Sequence, residues 1–230
     1  MPKCPQCGGE VGEESSFCPF CGYDLKSGKT SGAGAQGKRS YTEHLTIGFN
    51  VATQNPMVFV PTILAGLISS GMNWVGQGTP GFMPLLVSVA ASIVSFLLSF
   101  ASLDMSRDAY NKQPLDLGGS VGYVSGRFLE FFVAAVVAGI MAVTIFLIPV
   151  VLLMFTIMVI DETGLTSALS KAFSVLGAEL KDILLILLVS IAGAIVIGFV
   201  PLVSGLLVSA LNVVIGLALI DLYYNYKGSA

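Results

Sequence analysis

The chain has 230 residues, 54% of them hydrophobic and only 11% charged, with a formal net charge of −3. A soluble domain carries about 25% charged residues, so the composition argues against a water-soluble globular protein, and the near-neutral balance gives no reason to expect a specific nucleic acid as partner. The apolar excess is uneven. The first 55 residues are polar and Gly-rich, and long uncharged runs follow, among them Phe82 to Leu103, Phe131 to Ile160 and Ile183 to Ile220.

The N-terminus, Met1-Pro-Lys-Cys-Pro-Gln-Cys7, lacks the basic start and apolar stretch of a signal peptide. Residues 1–26 are therefore expected to stay in the cytoplasm. All four cysteines fall there, as Cys4-Pro-Gln-Cys7-Gly and Cys18-Pro-Phe-Cys21-Gly with ten residues between the pairs. A two-residue gap lets both thiolates of a pair face one ion, the glycine after each pair permits the tight turn, and two such knuckles complete a tetrahedral sulfur shell. A segment this small cannot build a hydrophobic core, so the metal has to supply the folding free energy. Cys4, Cys7, Cys18 and Cys21 are thus the expected ligands of one structural Zn2+. Two disulfides or an iron–sulfur or redox site are the alternatives, and a reducing cytoplasm disfavours the disulfides. A closed four-thiolate site leaves no position for a catalytic water. The stretch Lys3 to Leu25 resembles the short zinc-ribbon family found at the ends of many prokaryotic proteins, with both Cys-Pro-x-Cys-Gly knuckles present. The resemblance implies a small interaction or structural module. Residues 27–40, Ser27-Gly-Lys-Thr-Ser-Gly-Ala-Gly-Ala-Gln-Gly-Lys-Arg-Ser40, read as a flexible tether.

Residues 41–227 read as an all-α polytopic membrane domain of about six spans, at 57–73, 82–103, 128–147, 149–160, 183–200 and 202–222, since a bilayer core asks for about 20 apolar residues per helix. With that division all 11 Lys and Arg residues lie on one side: five before the first span, then Arg107, Lys112 and Arg127, then Lys171 and Lys181, then Lys227. The positive-inside rule places that side, and both termini, in the cytoplasm of a cell-membrane protein. The third and fourth spans share few residues. A short hairpin bent at Pro149 is expected, and one long kinked helix is the alternative.

The domain also reads as three parallel repeats, about 41–112, 113–163 and 164–227. Gly81-Phe-Met-Pro-Leu-Leu86 is echoed by Gly198-Phe-Val-Pro-Leu-Val203 and, more loosely, by Phe146-Leu-Ile-Pro-Val-Val151. Asp104 follows Pro84 by twenty residues, as Asp221 follows Pro201, and Asp161 follows Pro149 by twelve. Each hairpin is preceded by an amphipathic stretch, Tyr41 to Ala52, Leu115 to Val124, and residues 164–177, expected to lie at the interface. In the third stretch Leu165, Ala168, Leu169, Ala172, Phe173 and Leu176 form the face expected to pack on the bundle, with Asp161, Glu162 and Thr163 offering capping oxygens and Gly177 ending the helix. The region Ile148 to Ser174 resembles a loose family of uncharacterised prokaryotic membrane proteins. That family includes the membrane domain attached to some glycerophosphodiester phosphodiesterases; their hydrolase activity belongs to a separate domain, and no activity is implied here.

Ionisable residues announce most intramembrane sites, and few are found here. Glu130, Asp104, Asp161 and Asp221 at span ends are expected to be solvated, and His44 needs no role. Asn212 is expected to make an interhelical hydrogen bond. The serine stripe Ser88, Ser92, Ser95, Ser99, Ser102 and the pairs Gly122/Gly126, Ala135/Gly139, Ala194/Gly198 and Gly205/Ser209 are expected to permit close packing inside the bundle, with homo-oligomer contacts as the alternative. No Ser-His-Asp set, carboxylate pair or phosphate loop is present, so no catalytic activity is expected. The leading expectation is a membrane scaffold whose ribbon recruits a cytoplasmic protein partner. The alternative is a transporter, channel or lipid-handling protein.

Replacing Cys4 and Cys7 with Ser is expected to abolish zinc binding while the membrane domain stays inserted, because only a tether joins the two. Metal analysis of the purified protein should give about one zinc per chain, falling to near zero in the variant.

Overall fold

The computed structural model describes residues 39–77, 81–200 and 204–229; the four cysteines and nearly all of the expected tether lie outside them. About 89% of the described residues are helical, and no strand occurs among them. The chain divides into two units. In the smaller, residues 1–39 with 225–230, the Arg39 N–H donates to Asn225 Oδ1 at 3.3 Å. The larger, residues 40–224, holds the helical body.

Its helices are α1 (Tyr41–Gln54), α2 (Val60–Gln77), α3 (Met83–Tyr110), α4 (Leu117–Gly126), α5 (Phe128–Ala142), α6 (Ile148–Ile160), α7 (Leu165–Gly198) and α8 (Ser204–Ser229), with single 3-10 turns at Pro56–Phe59 and Ile145–Leu147. Among the described residues three helices, α3, α7 and α8, are long and apolar enough to cross a membrane, and the number rises to five if the two bent pairs that begin at Tyr41 and Leu117 each count as one span. Leu129, Ile140, Phe146, Val196 and Phe199 turn large apolar side chains outward, a surface that suits lipid and that a soluble monomer seldom shows. Helices α5 and α6 touch across the turn at Ile145–Leu147. Pro149 sits in the first turn of α6, and Pro84 in that of α3, where a missing N–H costs no helix bond.

Three times a short helix leads through a break into an apolar one. The chain bends by 95° after α1 and by 75° between α4 and α5. In α7 the break is internal, at Glu179, whose φ −118° and ψ 23° leave the helical region. Arg127, between α4 and α5, has nearly the same conformation, φ −111° and ψ 21°. At the first break Pro56 disfavours helical backbone in Asn55, which takes φ −127° and ψ 67°. Counting from the N-caps, the break comes fifteen residues on in the first and third cases, Ser40 to Asn55 and Gly164 to Glu179. In the second it comes eleven on, Asp116 to Arg127, one helical turn shorter. Positions four and eight after each N-cap are buried throughout: His44 and Gly48, Ser120 and Val124, Ala168 and Ala172. Four residues is the spacing that keeps one helix face on its neighbour.

Three local expectations are corrected. Phe173 is 48% exposed, and the α7 arm packs through Ala168, Ala172 and Val175 instead. Small residues let the arm lie close on the bundle, and the bulky ring is turned to the outer side. The start of α7 has no side-chain cap, since Asp161 bonds Lys171 and Tyr223, and the helix breaks at Glu179 rather than at Gly177. A Cβ added at Gly122, Gly126, Gly139, Gly198 or Gly205 would meet nothing within 4 Å, so among the described residues these glycines make no close internal contact. Gly48 is the glycine that does: a Cβ there would stand 2.6 Å from the Val214 carbonyl oxygen and 2.9 Å from the Ala218 nitrogen.

Because those neighbours are backbone, Gly48→Ala has to push α1 away from α8 and is expected to destabilise the domain by ~1–3 kcal/mol. Ala172→Asp buries a carboxylate without a partner and should cost several kcal/mol, whereas Phe173→Asp and Ser170→Asp act at exposed positions and should cost much less. Unfolding in detergent followed by circular dichroism checks the order.

Candidate functional site: an interhelical cavity and three aspartates

The three aspartates that close the repeats occupy one kind of place. Asp104 at the end of α3 is 3% exposed and Asp221 in α8 is 0% exposed. The expectation that they are solvated is overturned, because the short helices cover them. Each meets a side chain of one short helix. Asp104 pairs with the Ser120 hydroxyl of α4, and its charge is met by Arg107 at 2.8 Å. Asp161 pairs with Lys171 of the α7 arm and accepts from the Tyr223 hydroxyl at 2.6 Å. Asp221 lies 2.6 Å from His44 Nδ1 of α1 and accepts from the Tyr110 hydroxyl at 2.6 Å. The order is cyclic: the acid of the first repeat goes to the short helix of the second, that of the second to the third, and that of the third back to the first.

His44, left without a role by its sequence context, is therefore a central residue, 1% exposed inside α1. In its Nδ1–H tautomer the imidazole donates to the Asp221 carboxylate. The Tyr110 ring stacks on Tyr224 with centroids 5.1 Å apart and planes 4° apart, and Asn111 donates to the Tyr224 hydroxyl at 2.9 Å. Around the second repeat Arg127 donates to Glu130, to the Tyr123 hydroxyl and to the Met158 and Thr163 carbonyls. Arg107 donates to the Val159 carbonyl. Both guanidiniums thus hold carbonyls at or just beyond the end of α6, groups that a helix end leaves without an intrahelical donor.

A cavity of about 720 Å³, partly open to the outside, lies between the helices. Its walls come from Thr62, Ala65 and Gly66 of α2, Ser95 to Ser106 of α3, Ala135 and Ala138 of α5, Leu152 to Thr156 of α6, Ser190 of α7 and Ser209 to Leu219 of α8. The serine stripe of α3, expected to close a helix contact, lines this space with Ser95, Ser99 and Ser102. Asn212 also faces it and makes no hydrogen bond among the described residues, contrary to the interhelical bond expected of it. The hydroxyls of Thr62, Ser99, Ser106, Thr156 and Ser209 donate to carbonyls of their own or the adjoining helical turn, and Ser102 donates to the Val58 carbonyl. Phe100 packs among Phe96, Phe131 and Phe155 in tilted and edge-to-face contacts with centroids 4.6–5.0 Å apart. No side chain in the lining ionises.

The expected zinc ligands Cys4, Cys7, Cys18 and Cys21 lie outside the described residues, where the donor set itself, four thiolates in two pairs, fits zinc. Among the described residues no group of three or more His, Cys, Asp or Glu side chains is placed to hold a metal. The signal that pointed toward the acid cluster was the repeat spacing of Asp104, Asp161 and Asp221; nothing in the sequence tied His44 or Tyr110 to it. Comparison with protein-family models, curated proteins and solved structures finds no match.

Asp221→Ala leaves the buried His44 and Tyr110 donors without their acceptor and is expected to cost ~3–5 kcal/mol. Tyr110→Phe should cost about 1 kcal/mol. Lys171→Met, at an exposed cation, should cost ~1 kcal/mol or less. Equal losses for the Asp221 and Lys171 variants in denaturant unfolding would show that burial of the first pair is not what matters.

Proposed function

We propose that the chain is an integral protein of the cell membrane that displays a zinc-dependent module on the cytoplasmic side and recruits a cytoplasmic protein partner there. Residues 41–227 act as the anchor, with six helices in three hairpins crossing the bilayer and both termini on the side that carries the basic residues. The observation that carries this reading is the pairing of unlike halves. A closed four-thiolate donor set, suited to folding a small recognition surface rather than to catalysis, is tethered to a helical body whose ionisable groups near the repeat ends bond to one another. Zinc is the one cofactor in this reading, and it is structural.

A second reading, a transporter, channel or lipid-handling protein, is favoured by the cavity, since a pure anchor has no need of one.

Affinity purification from solubilised membranes separates the recruiting role from its absence. The full chain should retain a set of soluble proteins that the chain lacking residues 1–40, and the Cys4/Cys7→Ser variant, both lose. Recovery of the same proteins by all three would overturn the role given to the ribbon.

A further inference from the structure

The cavity's chemistry restricts what it can hold. Along α3 it runs from Ser95 to Ser106 and along α8 from Ser209 to Leu219, about 15 Å at 1.5 Å per residue. That is half of a hydrocarbon core of about 30 Å, the depth of one leaflet. It lies toward the helix ends that bear the aspartates: it takes in the start of α2 and the end of α6. The volume of about 720 Å³ is within the range of small-molecule sites.

Its polar groups are of two kinds. Six hydroxyls have already given their protons to backbone carbonyls, so toward the cavity they offer oxygen lone pairs alone. Ser190 and the exposed Asn212 amide have donors that meet nothing among the described residues. A charged ligand would enter a wall without a counter-charge, at a high desolvation cost. A hydroxyl suits both kinds of group, since it accepts from Asn212 or Ser190 and donates to a serine oxygen. Phe96, Phe155 and Leu103 supply the apolar remainder.

We infer that this cavity binds an uncharged single-chain amphiphile with a hydroxyl head, of the long-chain alcohol or monoacylglycerol class, the head at Asn212 and the chain along α3. This rests on the second reading above, that the bundle handles a lipid.

The test uses the full chain in phosphatidylcholine nanodiscs with a photoactivatable long-chain alcohol, adducts being located by mass spectrometry. Adducts are expected on the cavity segments of α3 and α8, displaced by unlabelled alcohol and not by the matching carboxylate or trimethylammonium compounds. Asn212→Leu should weaken displacement about tenfold, the scale of one lost hydrogen bond. Ser99→Phe, which fills the space, should abolish it, and if that variant unfolds, Ala65→Leu fills the opposite wall. Labelling confined to outward residues such as Leu129 and Phe132, or displacement indifferent to these variants, overturns the inference. Displacement by the carboxylate as readily as by the alcohol overturns the ligand class and leaves lipid handling standing. Absence of cavity labelling by any of the probes, with passage of small polar solutes through the reconstituted protein, overturns both.

Discussion

A carboxylate removed from water has to find its charge met by donors in fixed positions, or the fold that buries it is lost. Asp221 is in that position. It is fully buried in α8 and is met from two sides, by His44 of α1 and by Tyr110 of α3. Those bonds bring the first short helix, the end of the first hairpin and the last helix to one point, and Gly48 lets α1 lie against the α8 backbone one turn further on. The other two acids make weaker versions of the same joint. Asp104 uses a serine and a nearby arginine, and Asp161 uses a lysine that stays exposed. The three joints are unequal, and the one that joins the two ends of the helical body is the driest.

This joint also explains where the body is solid and where it is hollow. Near the aspartates Ala52, Val58, Ala109, Leu217 and Ile220 form a continuous buried cluster. Beside that cluster, small side chains line facing walls: alanines on α5, serines on α3 and α8. Small residues without a partner to fill the gap leave space, and in this one the hydroxyls set in a mostly apolar wall have protons already committed to the backbone. A cavity of this kind tolerates an apolar molecule and repels an ion.

The helical class, the long apolar helices and the short helices before them were legible in the sequence because each follows from local pattern: runs of apolar residues, a three-to-four-residue period, proline at a first turn. The repeat unit was legible too, and it located the aspartates. The sequence could not say whether those aspartates were wet. Asp104 and Asp221 sit at span ends, where water is the default partner, and only the folding back of α4 and α1 removes it. Phe173 was misplaced for a related reason. A helical period shows that a face is apolar, but not which half of that face meets protein and which half meets the surroundings.

What the sequence determined by itself is therefore what depends on neighbours along the chain: helix, break, turn, repeat, and a four-cysteine donor set whose spacing alone fits zinc. What the tertiary structure decided depends on residues far apart, His44 and Tyr110 with Asp221, and on the space left between helices that each look well packed when read alone. A cavity has no signature in one helix, because it is made by the distance between several, and that distance is set where the buried acids hold the helix ends together.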